Sequence, residues 1–354
     1  MSDIRCGPEP VDSIGRLRWR PMRTLGKTAA ATAASCLITA AGSSGAAPAV
    51  TAPAAVNGPV LLLNDAGLWT MLPDGTGKRQ VLKADKVVDG KFSPDGKRIA
   101  FSRDVNGNRD IYTMPASGGA VTRVTTAATV QESPIWSPDG TKLAFLSGPT
   151  DGYWGDSVVD VMMLNSTAPY GKAINITQLG EQNIPNPCMG GSETGATGAA
   201  WSTDGKTIYT GVECINYTDS DFYGIAYYDV ATRAWIRYFD GPYYGTKQVG
   251  TVPADVSPDG KRIIVDDWAY FRGPAGTSPK GLSLAIRNVA TGAMTKIVST
   301  VTPLGDPSWS PDGLLIVANR NNYKPGSDAY FLRPDGTKAR MFAAGFKALD
   351  WATR

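Results

Sequence analysis

Five times the chain writes nearly the same word: Phe92-Ser-Pro-Asp-Gly96, Trp136-Ser-Pro-Asp-Gly140, Trp201-Ser-Thr-Asp-Gly205, Val256-Ser-Pro-Asp-Gly260 and Trp309-Ser-Pro-Asp-Gly313. Each copy joins an apolar stretch to a β-rich run such as Lys97-Arg-Ile-Ala-Phe-Ser102 or Lys142-Leu-Ala-Phe-Leu146. Pro-Asp-Gly therefore reads as a tight turn between antiparallel strands, with proline presetting φ and glycine supplying a positive φ. The copies start 44, 65, 55 and 53 residues apart. A four-stranded propeller blade needs ~40–45 residues, and the surplus is room for insertions. The fold predicted is an all-β propeller.

The strands can be laid out blade by blade. In the second blade, strand a ends at Phe92-Ser93, and b, c and d run near 98–103, 109–114 and 121–125. Asn106-Gly107 between b and c is a strong hairpin signal. The fourth blade repeats the plan with b near 207–212, c near 223–229 and d near 234–239. Asp229-Val-Ala-Thr-Arg233 and Asn288-Val-Ala-Thr-Gly292 read as matching c–d turns.

The chain ends supply one more blade. Val60–Asp65, Leu68–Leu72 and Gln80–Leu82 read as strands b, c and d without an a strand, and Ala348-Leu-Asp-Trp-Ala352 places a tryptophan at the repeat position. Closing the ring in this way removes free sheet edges. The expected architecture is six four-stranded antiparallel blades, the first closed by the C-terminal strand.

These repeats resemble the Pro-Asp-type WD-like repeats of TolB-family propellers. The resemblance covers residues 59–354 and implies a propeller fold; one such fold hosts many functions. TolB carries an α/β domain before its propeller, whereas here the propeller is expected almost directly after a leader. No hydrolase domain of the kind that prolyl-oligopeptidase-type enzymes append is expected.

Residues 1–49 read as a secretory leader and 50–58 as a linker. Met22-Arg-Thr-Leu-Gly-Lys27 is basic, Thr28 to Ala41 is apolar and Ala-rich, and Ala47-Pro-Ala49 and Ala52-Pro-Ala54 fit small-residue cleavage sites. Met22 is a plausible true start, since the 21 residues before it are long and polar for an n-region. The apolar stretch is shorter than the ~20 residues of a spanning helix. Lipid anchoring at Cys36 is a secondary alternative, because Ala33 stands where a lipoprotein signal has a large aliphatic residue. The expected location is outside the cell or in the periplasm or envelope.

Net charge is +3, but the leader holds six basic and three acidic residues, which leaves 29 of each sign. A balanced surface exerts no long-range pull on phosphates, so no nucleic-acid partner is expected. Of four cysteines, Cys188 and Cys214 remain after the leader, and an even pair in an exported chain predicts a disulfide.

There is no histidine in 354 residues. Ser-His-Asp and Cys-His catalysis, His-ligated zinc and imidazole acid/base chemistry are excluded within this chain. Asp104-Val-Asn-Gly-Asn-Arg-Asp110 alternates oxygen ligands, but its glycine is at the fourth position rather than the sixth and its twelfth is Pro115, so the b–c hairpin is the better reading. Trp136, Trp201, Trp309 and Trp351 read as inter-blade core. No cofactor and no metal are expected.

Functional candidates gather on the insertions. The b–c loops grow from two residues in the first blade to Ser147–Gly155 with Tyr153, Trp154 and, beside it, Asp156, then Glu213–Asp221 with Tyr217, Asp219 and Asp221. Trp268–Gly281 carries Trp268, Tyr270, Phe271 and Arg272, and Arg320–Gly326 carries Arg320 and Tyr323. The d–a connection Gly180–Gly195 lies on the same face. Aromatics beside Asp, Asn and Arg on long loops suit a protein, peptide or extracellular polymer, bound by a monomeric, non-catalytic module. These aromatics could instead pack only their own loops. The alternative from another class is a carboxylate-based glycan-active enzyme, a hydrolase or lyase, with Asp151, Asp156, Asp160, Asp219, Asp221, Asp266 or Asp267 as acid and base; only Glu132, Glu181, Glu193 and Glu213 stand besides Asp.

Overall fold

The computed structural model describes residues 57–148, 159–177, 193–215, 222–240, 248–270, 282–297, 299, 301, 304–320 and 327–353, all within one compact unit spanning 52–354. Blade one joins β1 (Asn57–Asn64), β2 (Gly67–Met71) and β3 (Arg79–Lys83) to an inner strand from the chain's end, β24 (Lys347–Thr353). Blade two is β4 (Val87–Phe92), β5 (Arg98–Val105), β6 (Asn108–Pro115) and β7 (Thr122–Arg123). Blade three is β8 (Val130–Trp136), β9 (Lys142–Gly148), β10 (Asp160–Asn165) and β11 (Ile174–Asn175). Blade four is β12 (Glu193–Trp201), β13 (Thr207–Ile215), β14 (Phe222–Asp229) and β15 (Ala234–Asp240). Blade five is β16 (Gln248–Val256), β17 (Arg262–Tyr270), β18 (Leu282–Asn288) and β19 (Met294–Ile297). Blade six is β20 (Leu304–Trp309), β21 (Ile316–Arg320), β22 (Asp328–Leu332) and β23 (Arg340–Ala343).

Six antiparallel sheets of four strands thus form a six-bladed propeller, and the inner strands touch in the closed order β4, β8, β12, β16, β20, β24 and back to β4. The expected closure holds: β24 pairs with β1 from Asn57 opposite Thr353 to Leu63 opposite Lys347. The first blade begins at Asn57, within the stretch expected to be linker.

The repeated word works as a hydrogen-bonded device. In the first copy the Arg98 N–H donates to Ser93 Oγ at 2.9 Å, Ser93 Oγ donates to Asp95 Oδ1 at 2.6 Å, and the Lys97 N–H donates to the same Oδ1 at 3.1 Å. Gly96 closes the turn on the Ser93 carbonyl with φ 66°. The same contacts recur at Ser137/Asp139, Ser202/Asp204, Ser257/Asp259 and Ser310/Asp312. The serine hydroxyl holds the Asp95, Asp139, Asp204 and Asp259 carboxyls below the ordinary carboxylate value, with the turn N–H adding to it. The Asn106-Gly107 hairpin also forms, with φ 56° and 82° and the Gly107 N–H on Asp104 Oδ1.

Alternation along each strand sends neighbouring side chains into different interfaces. Ile99 and Phe101 pack with Leu61, Leu63 and Leu68 of blade one, while Ala100 between them faces Trp136, Leu143 and Phe145 of blade three. Six apolar clusters result, one at each blade junction. The four repeat tryptophans are buried there, as expected. Arg98 of blade two stacks on Trp136 of blade three at 4.4 Å, and Arg262 of blade five on Trp309 of blade six at 4.6 Å.

Candidate functional site

The inner strands have no ladder partner on their channel side, so proline costs no sheet hydrogen bond there. Pro134, Pro253 and Pro307 take such positions. All six inner strands also carry register shifts: between Val87 and Asp89, Glu132 and Ile135, Ala196 and Gly198, Pro253 and Asp255, Gly305 and Ser308, and Ala348 and Asp350. Bulges re-aim side chains and backbone N–H groups. In blades three and six, opposite one another in a six-membered ring, the residue before the proline takes a left-handed backbone: Ser133 at φ 54° and Asp306 at φ 47°. Each turns its N–H onto a carboxylate of the preceding blade, Ser133 N to Asp89 Oδ2 at 2.8 Å and Asp306 N to Asp266 Oδ2 at 3.1 Å.

These segments enclose a cavity of about 350 Å³ on the propeller axis. Its charged lining is Asp89, Lys91, Glu132, Asp266, Asp306 and Lys347, among apolar Pro134, Ile135, Leu146, Val252, Pro253 and Leu349. Gly198 is required for closure: a Cβ there would stand 2.6 Å from Val252 Cγ1 and 3.1 Å from the Pro253 carbonyl.

Most of these charges are engaged. Asp89 Oδ1 accepts from the Ser102 N–H and hydroxyl, and Glu132 is paired with Arg109. Burial pushes the Glu132 carboxyl up and Asp89 adds to it, against the pull of Arg109. Lys91 meets Asp350 at 3.2 Å; burial works against its charge, but Asp350, Asp255 and Asp89 outweigh it and hold the ammonium above its usual value. Asp350 and Asp255 also bind blade to blade, accepting the backbone N–H of Phe92 and Trp309 at 2.7 and 2.8 Å, while Ser308 Oγ donates to Asp255.

Asp266 is different. It is 5 % exposed, and among the described residues its Oδ1 has no hydrogen-bond partner. Burial first, and the Asp306 carboxylate second, hold it well above the usual carboxylate range; the Asp306 N–H and Lys347 act the other way without cancelling this. Lys347 lies 3.1 Å from Asp306 Oδ2.

The residues expected to form the site are only partly placed. Arg320 is exposed at the end of β21. Trp268 and Tyr270, expected in a loop, instead extend β17 and pair with Gly250 and Gln248. Cys214, expected at a loop start, is a ladder residue of β13 between Thr194 and Phe222. Tyr153, Trp154, Asp156, Tyr217, Asp219, Asp221, Arg272, Tyr323 and Cys188 lie outside the described residues, as do Asp151 and most of the long connections.

Of the carboxylates considered for catalysis, Asp160 accepts from Thr177 Oγ1 at 2.8 Å and Asn175 Nδ2 at 2.7 Å within its own blade. Asp110 receives Thr125 in the same way in blade two, so this is a repeated blade contact. Asp266 reaches the cavity, where its carboxyl neighbour is Asp306 of the next blade. The other channel charges were missed. Aligning the repeat finds two of them, Asp89 and Asp306: the third residue before the motif's first residue or its equivalent is Asp89, Ser133, Gly198, Pro253, Asp306 and Ala348 in turn.

Fold and channel define a six-bladed propeller with an axial cavity of apolar wall and clustered charges. Residues 75–210 match the model of the TolB beta propeller domain, and the protein is a TolB-like propeller. Relatives include the Tol-Pal system protein TolB of Francisella tularensis, 31% identical over 97 residues, covering 27% of this chain and 22% of that protein. The Uncharacterized peptidase YuxL of Bacillus subtilis is 26% identical over 247 residues, 66% of this chain and 29% of that protein. The crystal structure of TolB from Acinetobacter baumannii superposes with a TM-score of 0.58 at 20% identity, covering 83% of this chain and 66% of that one, a likeness of fold. The match thus spans about a fifth of the length of the first curated relatives. Among the described residues no helix is long and apolar enough to cross a membrane.

Proposed function

We propose that the protein is an exported or periplasmic binding module, without catalysis of its own, that uses the b–c and d–a face of the propeller to hold a protein, peptide or envelope polymer. One observation carries the reading: the three longest connections between successive strands, 149–159, 176–192 and 271–281, all leave and rejoin their strands at the b–c and d–a edge of the blades. The b–c link is two residues in blades one and two, but spans 149–159, 216–221, 271–281 and 321–327 in blades three to six. The a–b turns keep the same short motif throughout, and β1 and β24 meet on that opposite face, where Thr353 Oγ1 donates to the Pro94 carbonyl. Long loops on a rigid scaffold are where recognition residues collect. A protein partner is favoured because the Francisella relative is named as a Tol-Pal system protein.

The test is affinity capture from envelope extract and culture fluid with the mature protein, followed by the combined Trp154→Ala, Tyr217→Ala and Tyr323→Ala variant. Captured partners should be lost with unchanged melting, because aromatic anchors dominate such surfaces. Undiminished capture by the variant would remove the loop face as the site.

A second reading rests on the Asp266 and Asp306 pair. A carboxyl raised by burial beside a second carboxylate is one element of a glycan-cleaving acid and base pair. It predicts turnover of a glycan that Asp266→Asn abolishes with binding retained; absence of turnover across a polysaccharide panel counts against it.

A further inference from the structure

The geometry points to a recognition site, in the axial cavity at Asp266, for the ammonium head of a small apolar amine. It goes beyond the loop-face reading and does not depend on it. The starting observation is a buried acceptor without a donor: Asp266 is 5 % exposed, its Oδ2 takes the Asp306 N–H, and its Oδ1 has no partner among the described residues. A native structure leaves few such groups, and each calls for a partner.

The other charges facing the cavity define what that partner can be. Asp89 takes the N–H and hydroxyl of Ser102 and the N–H of Ser133, Glu132 is paired with Arg109, and Lys91 with Asp350. Lys347 is turned to Asp306. What remains is the demand for a donor at Asp266 Oδ1 and, beside it, at Asp306 Oδ2, which has the Lys347 ion pair but no hydrogen bond among the described residues. Four carboxylates against two lysines in the lining oppose an anion. A divalent cation needs a larger oxygen set than two carboxylates with an ammonium at their side, and no group of three metal-binding side chains occurs among the described residues. An alkylammonium needs acceptors on one side and apolar wall on the other. Pro134, Ile135, Leu146, Val252, Pro253 and Leu349 supply that wall. A cavity of about 350 Å³ suits a small molecule.

Proton linkage gives the site a signature. Burial and the Asp306 carboxylate raise the Asp266 carboxyl. An arriving ammonium favours the carboxylate, so binding releases a proton from Asp266 to solvent while the amine keeps its own.

The experiment is calorimetric titration of the mature protein with n-butylammonium chloride in two buffers of different ionisation enthalpy. Saturable one-to-one binding with net proton release is expected, weakened at least about tenfold in Asp266→Asn, which loses the charge and keeps the shape. The triple loop variant should bind the amine normally, so failure here and failure of the loop face are separable. As a second readout, the Asp266 side-chain carboxyl carbon in a ¹³C titration should show its midpoint fall when the amine is added. Three results overturn the proposal: no saturable binding at millimolar amine, equal binding by Asp266→Asn, or calcium chloride displacing the amine while itself binding tightly.

Discussion

Replacing Trp351 by alanine tests ring closure at a single side chain. Trp351 is 5 % exposed on the strand that completes blade one; it stacks on Phe331 of blade six with centroids 4.8 Å apart and donates its Nε1–H to the Gly58 carbonyl at 3.0 Å. Removing a buried tryptophan side chain costs about 4 kcal/mol in transfer and cavity free energy. The orphaned Gly58 carbonyl adds about 1 kcal/mol if water does not reach it. For a propeller of this length each kcal/mol lowers the melting temperature by about 2 °C, so the fall should be about 8–10 °C. The assay is calorimetric melting beside Met341→Ala, 51 % exposed on β23, which should stay within about 0.5 kcal/mol of the parent. Deleting 347–354 should go further, stripping blade one of its inner strand and leaving two unpaired edges, with loss of cooperativity and aggregation. A Trp351→Ala melt within about 2 °C of the parent, with cooperativity intact, would show that β24 does not hold the ring.

Asp266→Asn should stabilise the protein near neutral pH: its folded carboxyl titrates above the unfolded one, so wild-type stability is full below the unfolded value near 3.8 and declines as pH rises through the folded value. The stabilisation measured by urea titration should shrink toward nothing near pH ~4 and grow on the alkaline side. Ser257→Ala removes a fully buried hydroxyl that accepts the Arg262 N–H and donates to Asp259, and should cost about 1–2 kcal/mol by denaturant titration. Gly198→Ala should cost about 1–3 kcal/mol by overpacking against Val252 and the Pro253 carbonyl, checked by the same titration. Nonreducing peptide mass analysis should show Cys188 joined to Cys214, whose ladder partner Thr194 is six residues along the chain from Cys188; free thiols on both would exclude it.

The repeat made the fold legible because one local hydrogen-bond unit, Ser to Asp and back to the strand, is written into five contiguous residues each time. The Asn106-Gly107 turn and the strands around it could be placed for the same reason, since glycine and asparagine declare positive φ locally. Loop boundaries were harder to read. Trp268 and Tyr270 look like insertion residues, yet pairing with Gly250 and Gln248 carries β17 past them. Ladder length is decided by what the partner strand offers, and composition does not report that.

The sequence by itself determined the number of blades, the four-stranded antiparallel plan and the use of the C-terminal strand, because turn chemistry and strand alternation act over a few residues and recur with the repeat. Only the tertiary structure decided the axial site. Asp266 and Asp306 are 40 positions apart and belong to different blades. Lys91 and Asp350 are 259 positions apart in the chain. Their meeting depends on the ring bringing six inner strands to one axis, and on a left-handed residue turning its N–H toward a neighbouring blade. The raised Asp266 carboxyl follows from that meeting, because burial and the nearness of Asp306 exist only once the ring is closed.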